Sequence, residues 1–254
     1  MKKTYILLMV GLGFFSACQK EASVESPPTA HLEVRIHPEI NGEPLQLNVP
    51  YTNGFGESFT VTTIKFYTGQ FSLGDQLSGS SELSAGEPYF LSDLSTPSTL
   101  SFSTPIKPGT YNQLSFLIGV DSARNVSGVQ SGALDPANGM FWTWNSGYIY
   151  LKMEGNSPVS NQPNGKFEYH IGGFQSPNSS IRLFIANLSA PDQWELAKGK
   201  TISFDIVYSL DNFFNSSFPL RISETPVCTT PGELSSAIAN NIAAAFQVTN
   251  FEIK

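Results

Sequence analysis

The sequence predicts an all-β fold, an antiparallel two-sheet β-sandwich with one short C-terminal helix. Three observations lead there. Short apolar runs with two-residue alternation recur along the chain, dipeptides that tolerate positive φ separate them, and only one segment carries a helical apolar stripe. With 254 residues, 40% hydrophobic and 12% aromatic, the chain can bury enough apolar surface to offset the entropy of ordering it.

The elements follow in order. Residues 31–37 (HLEVRIH) put Leu32, Val34 and Ile36 on one face. Residues 59–73 continue with Val61, Ile64, Phe66, Phe71 and Leu73, with a break expected near Thr68 and Gly69. Further strands are expected at 89–91, 99–102, 113–120, 147–153, 167–171, 181–188, 201–208, 218–222 and 246–253. Asn41-Gly42, Asn53-Gly54, Pro108-Gly109, Asn138-Gly139 and Asn164-Gly165 supply turns. Many short strands at this spacing favour a sandwich. Thr230, Pro231, Gly232 and Glu233 read as N-cap, N1, N2 and N3 of a capping box, and Leu234, Ile238, Ile242 and Ala245 form the stripe behind it. No shift in composition divides the chain after residue 30, so 31–254 reads as one domain.

The first 30 residues read as an address and a tether. Lys2 and Lys3 precede a short apolar run ending in Phe15-Ser16-Ala17-Cys18, too short to span a bilayer. Residues 1–17 resemble a bacterial lipoprotein signal peptide, which makes Cys18 the acylated residue and its lipid the membrane anchor. Residues 18–30 are polar and proline-containing, as a flexible tether would be. The expected location is the cell envelope, as an outer-membrane lipoprotein facing the periplasm or the surface. The formal net charge is -7, and losing Lys2 and Lys3 with the signal makes it more negative. Such a chain repels phosphate backbones, which argues against nucleic-acid partners. Two cysteines, Cys18 and Cys228, make no disulfide framework.

Groups able to carry chemistry are few. The histidines are His31, His37 and His170, and no phosphate loop, GxSxG elbow, HExxH or CxxC is present. Asp121 and Asp135 read as turn caps, so the chain is expected not to be an enzyme. The densest stretch is 121–155, DSARNVSGVQSGALDPANGMFWTWNSGYIYLKMEG, a long loop leading into Phe141-Trp142-Thr143-Trp144. An extended backbone turns Trp142 and Trp144 to one face. Met140 and Met153 read as packing.

DSARN, GALDPANGMFWTWNSGY and FEYHIGG resemble the MbnP-like copper-binding family, named for a periplasmic protein linked to methanobactin copper uptake. INGEPLQLNVPYTNGFGESFTVTTIKFYTGQFSL and PGTYNQLSFLIGVD extend the resemblance over roughly residues 31–208. It implies an exported β-sandwich holding one copper ion through histidines. Beside the metal it implies a tryptophan oxidised to kynurenine by a partner dihaem enzyme of the cytochrome c peroxidase type. His170 in YHIGG matches the family's histidine, and His37, just before INGEPL, is the implied second. Cys228 stands where many relatives have another histidine, as a candidate third ligand. Either Trp142 or Trp144 is the tryptophan to be modified. Imidazole suits copper, whereas an indole N–H only donates and must be oxidised before the residue can bind. The implied function is capture or hand-over of copper at the envelope. The alternative is a non-metal binding module, an adhesin or glycan binder, with Trp142, Trp144 and Trp194 as its stacking surface.

Overall fold

Alternation on the first strand sets the two sides of the sandwich. In the computed structural model, which describes residues 29–76, 78–143, 146–188 and 193–254, β1 (Ala30–Ile40) buries Leu32, Val34 and Ile36 and turns Glu33, Arg35 and His37 outward. The signal at 1–17, Cys18, nearly all of the tether and Trp144 lie outside the described residues.

Along the first half follow β2 (Glu43–Pro44), β3 (Pro50–Thr52), β4 (Ser58–Asp75), β5 (Ser80–Leu83), β6 (Tyr89–Asp93), β7 (Ser101–Ile106), β8 (Gly109–Tyr111) and β9 (Gln113–Ile118). After a short helix, α1 (Ser122–Asn125), come β10 (Phe141–Thr143), β11 (Gly147–Asn156), β12 (Lys166–Gly172), β13 (Arg182–Asn187), β14 (Trp194–Leu196) and β15 (Thr201–Ser209). The chain closes with α2 (Leu210–Phe214), β16 (Val227–Cys228), α3 (Glu233–Ala245) and β17 (Phe246–Ile253). One sheet runs β17-β15-β1-β2 with β7 on β1, and the other runs β13-β9-β4-β11-β12-β16, with β3, β5, β6 and β10 attached. Between them lies a core that includes Phe66, Phe71, Phe116, Phe167, Tyr169, Phe204 and Tyr208, with α2 and α3 packed against it. The fold is an all-β sandwich, as the alternation predicts.

Details differ from the expectation for physical reasons. Two pairings are parallel, β1 with β15 and β12 with β16, and the long stretches of chain between the partners supply the crossovers that parallel strands require. The break expected near Thr68 and Gly69 is a bulge inside one continuous 18-residue strand, with Gln70 at φ 49. Residues 218–222 do not form a ladder, because side chains take their backbone donors: Asn241 accepts the Phe218 N–H and Glu57 accepts those of Ile222 and Ser223. Helix α3 begins at Glu233 with Gly232 as N-cap and no side-chain cap, so the Thr230 capping box does not form. Ser235 in its first turn instead ties α3 to β12, accepting the Gly172 N–H and donating to the Gly172 carbonyl.

Candidate metal site

The loop between residues 121 and 140 is held by side chains. Asp121 caps α1 by accepting the Arg124 N–H at 2.9 Å, and its other oxygen accepts from Gln70 and from the Tyr89 hydroxyl. Asp135 caps the 3-10 turn at Pro136–Asn138 by accepting the Ala137 N–H. Both carboxylates therefore act as caps. Buried Asn125 is the centre of the frame: its amide donates to the carbonyls of Val120 and Asp121 and to the Tyr150 hydroxyl, and its oxygen accepts the Tyr148 N–H at 2.9 Å. A Cβ at Gly147, where φ is +76, would lie 2.1 Å from that oxygen, so the glycine of NSGY and the asparagine of DSARN require each other. Tyr67 and Tyr148 donate to the loop carbonyls of Ala133 and Leu134. Under the loop, on the outer face of the larger sheet, Tyr67, Tyr89, Leu134, Met140, Tyr148 and Tyr150 form a second apolar cluster.

This frame delivers Trp142. Strand β10 pairs with β11, and the half-buried indole lies over Gly172 at the end of β12: a Cβ there would be 2.9 Å from the indole Cζ3 and 2.4 Å from the Tyr148 carbonyl oxygen. His170 projects from the same face of β12 two residues earlier, about 7 Å along the strand. Its Nε2 lies 2.7 Å from Glu154 Oε1 on β11, and Lys152 Nζ is 3.4 Å from the same oxygen. Burial pushes the Glu154 carboxyl up, but the His170 hydrogen bond and the Lys152 charge outweigh it and hold the group below the usual glutamate range. The His170 side chain is 16% exposed. Register continues this polar row, His170 opposite Lys152, Lys152 opposite Lys65, and Lys65 opposite Asp93. Beyond Gly172 a cleft of about 370 Å³ opens between Ser146, Gly173, Gln175 and Pro231.

The other implied ligands lie elsewhere. His37 sits on the outer face of the smaller sheet, 47% exposed, with Nε2 3.0 Å from Asp205. The Arg35 guanidinium first, then His37 and Asn250, hold that carboxyl well below the usual range against the effect of burial. Since sandwiched sheets pack about 10 Å apart and both imidazoles point away from the core, they do not reach one ion, which needs its nitrogens at about 2 Å. Cys228 faces the other way again. Paired opposite Tyr169, it lies in the main core, where burial pushes its thiol up to about 11. The expectation that His37, His170 and Cys228 converge is thus not met: strand pleat sends the three side chains to three separate regions. Among the described residues no three His, Cys, Asp or Glu side chains gather as a metal-holding group. Trp142 is brought onto Gly172, two residues from His170 on the same strand face. Glu154 was missed by the sequence reading, although the outward parity of Lys152 and Glu154 in YLKMEG was visible there.

The architecture so described is a β-sandwich whose candidate site lies outside the core, on the outer face of one sheet, next to the strand that follows a long loop. The chain belongs to the MbnP family, whose model matches residues 29–230. Among solved structures it is similar to MbnP from Methylosinus trichosporium, at 16% identity and a TM-score of 0.59, over 87% of this chain and 98% of that one. That likeness shows a shared fold. No curated protein matches the chain.

Proposed function

We propose that this protein binds copper at the cell envelope through a site centred on His170, with Trp142 as the tryptophan whose oxidation to kynurenine adds a donor. The observation that carries the reading is the seating of the Trp142 indole on Gly172, beside His170 on the same strand face, in a member of the MbnP family. An imidazole is a donor that copper accepts, and one alone is too few for a closed cage. The native indole offers no lone pair, whereas a kynurenine offers a carbonyl and an amine. Acyl chains on Cys18 would hold the protein at a membrane surface, where it captures copper or hands it on, and a dihaem partner would perform the oxidation. Asp121 and Asp135, committed to caps, support binding rather than catalysis.

The test is copper titration of protein from its native host, with peptide mapping across residues 140–153. Kynurenine adds about 4 Da to a tryptophan peptide. His170→Ala is expected to lower copper affinity at least tenfold, and an unchanged affinity overturns the reading. A second reading, a binding module without metal, draws on the finding that among the described residues no three His, Cys, Asp or Glu side chains gather around His170. Its aromatic platform is weaker than the sequence implies, because Trp194 packs against Tyr111, Phe204 and Phe251. Absence of both copper and the mass shift would favour it.

A further inference from the structure

We infer that Glu154 is the positioning residue of His170: it accepts the Nε2–H and so fixes the tautomer in which Nδ1 carries the free lone pair. The purpose of this arrangement rests on the copper reading, but its geometry does not. Register places Glu154 opposite Glu168, two pairs along from the His170–Lys152 pair and next to it on the outer face, and a diagonal contact spans the two strands. Glu168 shares the outer face of β12 with His170, yet the imidazole turns across to β11. An ionised carboxylate only accepts, so the proton on this 2.7 Å contact belongs to the imidazole. With Nε2 protonated, the neutral ring has one lone pair left, on Nδ1. The two ring nitrogens point nearly oppositely out of the ring. Glu154 therefore engages Nε2 and not Nδ1.

Glu154 acts through His170 rather than as a ligand. Lys152 Nζ stands 3.4 Å from the oxygen that meets His170, and a cation bound to that oxygen would face the ammonium group. A carboxylate behind a ligating imidazole orients the ring and makes it a better donor, and removing such a partner commonly weakens metal binding 10–100-fold.

The test uses the metal-free full domain with ¹⁵N-labelled histidine. Three histidines make assignment direct, and His37, whose Nε2 faces Asp205, serves as an internal reference. Long-range proton–nitrogen spectra of the neutral rings are expected to show His170 as the Nε2–H tautomer. Glu154→Leu is expected to lose that fixed pattern and to bind copper at least tenfold more weakly, while Glu154→Gln, which keeps an acceptor oxygen, retains most of the affinity. An Nδ1–H tautomer in the wild type, or an unchanged tautomer in Glu154→Leu, overturns the inference. If Glu154→Leu does not fold, the wild-type spectrum decides alone. Failure of the copper reading is seen separately, as His170→Ala without effect on copper affinity, and leaves the tautomer measurement standing.

Discussion

Asn125→Ala should loosen the loop that carries Trp142, and the cost can be worked from its contacts. The substitution strips the acceptor from the buried Tyr148 N–H and donors from the Val120 carbonyl and the Tyr150 hydroxyl, while the Asp121 carbonyl keeps the backbone N–H of residue 125. Each orphaned buried group costs about 1–3 kcal/mol, and a water entering the vacated space recovers part of it, so the loss should be about 3 kcal/mol. For a domain of this size that lowers Tm by about 6–12 °C. Gly147→Ala alone should cost a similar amount, from a Cβ 2.1 Å from the Asn125 oxygen and a backbone at φ +76. In the double variant the collision disappears and only the backbone strain remains. Denaturant unfolding of the four proteins should therefore show a double loss smaller than the sum by about 1–2 kcal/mol. Strict additivity, or a loss below about 1 kcal/mol for Asn125→Ala, would refute this account of the frame.

Gly172→Ala should displace the indole, since the new methyl meets the rigid Tyr148 carbonyl as well as Trp142; a shifted tryptophan emission and a loss of about 1–3 kcal/mol are the readouts. Glu57 accepts from Asn53, Ile222 and Ser223, and although burial pushes its carboxyl up, these bonds hold it below the ordinary glutamate value. Its folded pKa being lowered, its stabilisation is complete above the unfolded value of about 4.3 and is lost as pH falls through the folded one. Glu57→Gln should accordingly flatten the acid limb of the Tm–pH profile below about pH 4.3, and an unaltered limb would count against the role. Cys228 should resist alkylation at neutral pH in the native protein and react fully in denaturant, and Cys228→Ala should leave copper affinity unchanged.

Strand parity was readable from the sequence: alternation along FEYHIGG puts His170 with Glu168 and Gly172 on one face. What it lacked was register. The segment from 157 to 165 joins β11 to β12 without a two-residue turn to set the pairing, so the Glu154 partner could not be derived. The His37 error has the same root: alternation shows that His37 points out of the core, but not that β1 and β12 belong to opposite sheets. Turn chemistry was more local and more legible. Asn41 and Gly42 adopt φ 53 and 76 between β1 and β2, and Asn164 and Gly165 adopt φ 59 and 66 before β12. At α3 the local signal lost to a tertiary one, because Gly173 packs closely on Pro231 and Ser235 engages Gly172.

The parallel union of β1 with β15 has a consequence for how the molecule is made. Arg35 meets Asp205, 170 positions later, and β17 then adds beyond β15. β1 finds β2 and β7 early, but on its other edge it must wait for nearly the whole polypeptide before its parallel neighbour exists. Until then an apolar ribbon, Leu32 to Ile36, stands open to mispairing, and loop-closure entropy slows the final docking. Shortened versions lacking the last fifty residues should therefore depend on chaperones that shield this ribbon.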